Sequence, residues 1–236
     1  MIVPYAEVPT HTDENLRVVE SAYYNCAQQA IWNLCLVLKP RFVLDIGTMG
    51  GTSALLAAQY LEKYQDGGHV VTADVVTTKM AAEWEHPLVT KLLVSPHSRA
   101  GLQQYPWARM LLQQDGWENM PRSVDVNSEI VLGALKAAGG ELFDFAYVDG
   151  DHSMVGIWRD LQIVQRVTRW PHYALLDDVY MPGVPAGVLY RELLVHQYEH
   201  YDFEGDGWER FKETRKGIWG MPRMALIWEK GHCCDT

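Results

Sequence analysis

Apolar positions recur at spacings of three and four from Asp13 to Leu38, through Leu16, Val19, Ala22, Tyr23, Cys26, Ala30, Leu34 and Leu38. That is the period of one helix face, and Pro40 closes the segment. Phe42-Val43-Leu44-Asp45-Ile46-Gly47 is a short apolar run ending in Asp and Gly, and it predicts a buried strand. Thr52 to Tyr64 returns to helical spacing (Ala54, Leu55, Ala58, Leu61) until Gly67-Gly68 breaks it. His69 to Asp74 is β-rich and ends again in Asp. Further along, Ser128–Ala138 and Met154–Val167 read as helices. Phe143–Asp149 and His172–Asp178 read as strands, and Pro185–Tyr198 as a helix. Residues 75–108 show no period and carry Trp84, Pro87, Pro96, Pro106 and Trp107, so a helix with an irregular lid insertion is expected there. Ala108–Gln113 is the expected third strand, followed by Asp115. Two β-rich segments with no helix between them, Phe211–Trp219 and Arg223–Trp228, predict an antiparallel edge hairpin.

Strands alternating with helices specify an α/β protein with a mostly parallel sheet and helices on both faces. No repeat, low-complexity run or Ser/Gly linker divides the chain, so residues 1–236 are expected to form one domain, with 1–39 an N-terminal arm and helix.

In such sheets ligands bind beyond the carboxyl ends of the strands. Four predicted strands deliver an Asp there: Asp45, Asp74, Asp149 and Asp177. Any one could be a turn former or helix cap; four converging on one crevice point to a site. Asp45-Ile46-Gly47-Thr48-Met49-Gly50-Gly51-Thr52-Ser53 is a glycine-rich strand-to-helix turn that lets the backbone approach a ligand closely. It is not the dinucleotide G-x-G-x-x-G pattern. An Asp ahead of the first glycine repels a phosphate and suits a cationic amine. Asp74, ending the next strand, can accept the hydroxyls of a ribose. Together they suggest a nucleoside with a charged amino-acid tail.

Composition narrows the partners. Asp plus Glu number 30 against 20 Lys plus Arg, a formal charge of −10, and the basic residues are scattered. That argues against a nucleic-acid groove. No run of 18 apolar residues and no basic-then-apolar leader occurs. The four cysteines form no C-x-x-C pair, so zinc is not expected. A soluble, reducing, cytoplasmic setting is the expectation, and the apolar helix at 13–38 could either serve a homo-oligomer interface or cover the pocket.

The D-I-G-T-M-G-G-T-S turn and the Asp74 strand resemble the class I S-adenosylmethionine-dependent methyltransferases over roughly residues 40–180. The resemblance implies a Rossmann-like fold with a seven-stranded sheet. It implies donor contacts from Gly47, Thr48, Gly50, Gly51, Thr52 and Ser53, with Asp45 in the ammonium network, Asp74 on the ribose and Asp115 near adenine.

A second constellation is Tyr147-Val148-Asp149-Gly150-Asp151-His152-Ser153, followed by Leu175-Leu176-Asp177-Asp178. Three carboxylates at one point repel unless a cation lies among them, and hard oxygen ligands suit Mg²⁺. His152 or Asp151 could take a proton from a substrate hydroxyl; Asp151 could equally cap the following helix. V-D-G-D-H-S with L-L-D-D is similar to the metal-dependent sugar O-methyltransferases of the macrocin group, and more distantly to catechol and caffeoyl-CoA O-methyltransferases. By that resemblance Asp149, Asp177 and Asp178 hold the metal, His152 is the base, and the substrate is a small hydroxylated molecule such as a sugar or polyol-bearing natural product. Trp84, Trp107, Trp117, Tyr180 and Trp208 are loop aromatics that either line the pocket or pack. The competing readings are a nucleotide-dependent oxidoreductase or hydroxylase on a related fold, and a non-catalytic binding protein with a degenerate crevice.

Overall fold

A computed structural model describes residues 26–48, 51–74, 84–93, 128–150, 154–179, 187, 189–203 and 224–230. Helix α1 (Cys26–Leu38) leads into β1 (Phe42–Ile46), α2 (Thr52–Tyr64), β2 (His69–Asp74) and β3 (Val89–Leu93). Then come α3 (Ser128–Ala137), β4 (Phe145–Val148), α4 (Met154–Val167) and β5 (Ala174–Leu176). A π-helical turn (Tyr190–Leu194), a short α5 (Val195–Gln197), β6 (Tyr198–Asp202) and β7 (Ala225–Glu229) follow.

The seven strands form one sheet in the order β3-β2-β1-β4-β5-β7-β6. The first five are parallel to their neighbours, and β7 and β6 add antiparallel at one edge. The predicted α/β class with an antiparallel C-terminal edge is therefore what the chain adopts. Because β1 pairs with β2 on one side and β4 on the other, the chain reverses its direction of winding between β1 and β4. Such a switch point opens a crevice beyond the strand ends.

Period-two alternation sends successive strand residues to opposite faces. Val43, Val70, Phe145, Tyr147 and Leu175 pack against α1 and α2. Leu44, Ile46, Val71, Ala146, Val148 and Leu176 pack with residues of α3, α4 and the π-helical turn. Both faces are dry, so these strands read as nearly continuous apolar runs.

Both edges differ from expectation. The third strand is Val89–Leu93, inside the segment read as helix and lid, while 108–113 lies outside the described residues. At the other edge β6 is Tyr198–Asp202, starting at the last residue of the predicted 185–198 helix; 211–219 lies outside the described residues. The cause is common to both. An edge strand has one neighbour and carries polar residues that discourage further pairing, and Thr90, Lys91, Glu199 and His200 blur the β pattern. Among the described residues no helix is long and apolar enough to cross a membrane.

Candidate active site

The β1–α2 turn reaches the crevice by close backbone approach. Gly47 has φ 106°, and a Cβ there would stand 2.1 Å from the Asp149 carbonyl oxygen. Only glycine lets the end of β1 lie against the end of β4. The Gly47 N–H donates to the Ala73 carbonyl (2.8 Å) and the Asp149 N–H to the Ile46 carbonyl (2.8 Å), so β1, β2 and β4 are tied at one level.

Asp45 lies inside β1 rather than after it, and it is 1% exposed. Thr72 Oγ1 donates to its Oδ2 (2.6 Å) and Ser53 Oγ to its Oδ1 (2.7 Å). Because the Thr72 proton is committed to Asp45, Thr48 Oγ1 donates to Thr72 Oγ1 (2.6 Å). Burial pushes the Asp45 carboxyl up to about 6, against the lowering effect of Thr72 and Ser53; the Asp74 charge adds to the rise. Asp74, the last residue of β2, therefore shares the electrostatic environment of Asp45. Thr52 and Ser53 open α2, whose N-cap Gly51 (φ 79°) supplies no side-chain cap.

The carboxylates of β4 and β5 meet at a hydroxyl. Tyr147 Oη donates to Asp177 Oδ2 (2.9 Å) and Asp149 Oδ2 (3.1 Å), sharing one proton between two acceptors. Asp177 Oδ1 accepts the Asp178 N–H (2.8 Å), and Asp178 holds φ 56°. Burial first and the Asp177 charge second push the Asp149 carboxyl far above the usual range, with Asp45 and Asp178 contributing. Burial and the same acids raise the Tyr147 phenol, which keeps it a proton donor. Tyr147 has no role that its residue type announces in the chain. Its signal was its place two residues before Asp149, which puts it on the Asp45 face of the sheet.

Among the described residues no three His, Cys, Asp or Glu side chains converge as a ready metal cage. The structure brings together Asp149 and Asp177, with Asp178 close enough to add to the repulsion. Two hard carboxylates repelling at one point fit Mg²⁺, which commonly takes one or two carboxylates and fills its shell with water and substrate. A donor with a zwitterionic amino-acid tail also fits, since a buried carboxylate lies beside a helix start lacking a side-chain cap. Gly50, Asp115, Asp151 and His152 lie outside the described residues. A cavity of about 540 Å³ lies at the opposite strand ends, lined in part by Phe42, Asp144, Arg169 and Trp170. Its Asp144 is engaged by Arg169 and by the N–H groups of Arg41 and Phe42, so that cavity is a structural seam remote from the converging acids.

The fold has solved counterparts. One is the O-methyltransferase TomG from Streptomyces achromogenes, involved in tomaymycin synthesis and solved with S-adenosylmethionine (SAM), at 17% identity and TM-score 0.53, covering 92% of this chain and 87% of that one. Another is an O-methyltransferase from Bacillus cereus in complex with SAH, at 16% identity and TM-score 0.51, covering 94% and 93%. At such identities the likeness is one of fold. A search of curated proteins finds no match. Residues 44–179, running from β1 through the Asp177-Asp178 pair, match the family model described as a methyltransferase domain, and the chain belongs to that family.

Proposed function

We propose that the protein transfers a methyl group from S-adenosylmethionine to a hydroxyl of a small molecule, with Mg²⁺ or a similar ion on Asp149 and Asp177. The observation that carries this reading is the convergence of two carboxylates, under one tyrosine hydroxyl, beside the glycine turn at the β1/β4 switch point. Family membership supports methyl transfer, and the solved counterparts named for O-methylation support oxygen as the acceptor. The resemblance of V-D-G-D-H-S and L-L-D-D favours a sugar or polyol-bearing natural product as the substrate.

When bound, the donor supplies an electrophilic methyl group and the cation supplies Lewis acidity toward a substrate hydroxyl. The chain does the rest. Asp149 and Asp177 would hold the cation, Asp178 would add negative charge nearby, and Tyr147 would fix the direction of the two ligands. Gly47 keeps the β1 and β4 ends in contact, so donor and acceptor are held within one crevice. Such placement is a large source of rate in transfers between two substrates. Asp45 would supply negative charge behind the donor's ammonium, Asp74 would accept from its ribose, and His152 or Asp151, directly after Gly150, would take the substrate proton.

Calorimetric titration with S-adenosylmethionine, with and without Mg²⁺, tests this. Binding of the donor, and turnover abolished by excess chelator or by Asp149→Ala or Asp177→Ala with donor binding kept, is the expected outcome. Full activity in chelator sinks the metal role. A nicotinamide cofactor bound in place of S-adenosylmethionine would sink the reaction class. Loss of His152 as His152→Ala should cost about 10²–10⁴-fold in turnover if it is the base; an unchanged rate transfers that role to Asp151.

A further inference from the structure

Trp84 lies between β2 and β3 and is 9% exposed. Its indole rests on the glycine turn: a Cβ on Gly51 would fall 2.2 Å from Cε2 and 2.4 Å from Nε1 of the ring. Lys91 holds the residue in place, since its Nζ donates to the Trp84 carbonyl (2.5 Å) and sits 4.7 Å from the ring centroid. The indole Nε1 is buried and has no hydrogen-bond partner among the described residues. A buried donor left unpaired is costly, and this one abuts the N-cap of a 13-residue helix.

The chemistry of that spot is one-sided. An indole N–H only donates. A helix leaves its first backbone N–H groups without intrahelical acceptors, and Gly51 supplies no side-chain cap to α2. The helix dipole favours an anion there. One residue into α2, Ser53 donates instead to the buried Asp45 carboxylate, which favours a cation. Opposite preferences side by side select a zwitterion. A phosphate would satisfy the helix start and be repelled by Asp45.

We infer that Trp84 is a specificity-determining residue of the donor site: its Nε1–H, beside the first turn of α2, donates to the carboxylate of the donor's amino-acid tail. The assignment rests on the donor reading above. It makes Gly51 a packing requirement, because any side chain there would displace the indole. It also makes Trp84 a discriminator between donors with and without a carboxylate.

The test compares S-adenosylmethionine with its decarboxylated analogue, which keeps the amine and sulfonium. Trp84→Phe retains a ring on Gly51 and removes the N–H. S-adenosylmethionine should bind this variant about tenfold or more weakly, the scale of a hydrogen bond to a charged group. The decarboxylated analogue should bind wild type and variant alike. Equal weakening of both, or of neither, overturns the assignment. A wild-type protein that binds neither S-adenosylmethionine nor S-adenosylhomocysteine overturns the donor reading itself. A second measurement needs no variant. In ¹⁵N-indole spectra of the wild type, the Trp84 N–H resonance should move downfield with S-adenosylhomocysteine and stay put with methylthioadenosine, which lacks the tail. The same response to both ligands refutes the contact.

Discussion

Replacing Asp45 by Asn separates what the site costs the fold from what it gives to binding. Asp45 is enclosed by Thr72 and Ser53, and burial raises its carboxyl from 3.8 to about 6. The unfolded chain releases this proton near 3.8 and the native protein near 6. Between those values the native state binds more protons, so stability falls as pH rises. At 1.36 kcal/mol per pH unit the charge withholds about 3 kcal/mol from folding at pH 7, about half of it by pH 5, and nothing well below 3.8. Asn is close in shape and carries no charge. Its amide oxygen can accept from Ser53 and its NH₂ can donate to Thr72, whose hydroxyl then donates to Thr48. Asp45→Asn should therefore be more stable than wild type by up to about 3 kcal/mol at pH 7.5, a rise of about 6–12 °C in Tm, and the advantage should shrink toward pH 5. On the proposed donor reading the same variant should lose tenfold or more in S-adenosylmethionine affinity, because the negative charge assigned to the ammonium has gone. Urea unfolding at several pH values and calorimetry read the two effects. A variant less stable than wild type at pH 7.5, or a stability difference that does not change with pH, would refute the desolvation argument.

Two further substitutions probe the neighbouring parts. Gly47→Ala forces a Cβ against the Asp149 carbonyl at φ 106° and should cost about 2–5 kcal/mol in denaturant unfolding, from overpacking and backbone strain together; a near-neutral result would mean that the β1 and β4 ends are not held in contact. Tyr147→Phe removes the hydroxyl shared by Asp149 and Asp177 and should weaken Mn²⁺ binding about 10–100-fold, measured by electron paramagnetic resonance, while leaving S-adenosylmethionine binding intact; unchanged Mn²⁺ affinity would remove Tyr147 from the role of orienting the ligands.

Much of the architecture was legible because both faces of the parallel strands are buried. Apolar runs such as Phe42–Ile46 and Phe145–Val148 stand out against amphipathic helices such as α4. The edge strands escaped because water and charge reach them: Val89–Leu93 and Tyr198–Asp202 keep β geometry through a single neighbour each, and their sequences mix polar with apolar residues. The acids were legible as well, since an Asp at or near the end of an apolar run is a conspicuous interruption. Asp45, Asp74, Asp149 and Asp177 could all be named from the chain alone.

What no linear pattern contained was how those acids relate to one another. That Asp45 is buried and held by Thr72 depends on the parallel pairing of β1 with β2, which sets Asp45 opposite Thr72. That Tyr147 reaches both Asp149 and Asp177 depends on β4 lying beside β5, 30 positions on in the chain for Asp177. Trp84 could be noticed as a loop aromatic, yet its meeting with Gly51 is a contact between segments 33 positions apart. The sequence by itself determined the class of fold and the inventory of carboxylates, because hydrophobic period and residue type are local properties. Tertiary structure alone decided which carboxylates share a proton donor, which is desolvated and which glycine is pressed by an indole, because hydrogen bonding and burial are set by strand order and register.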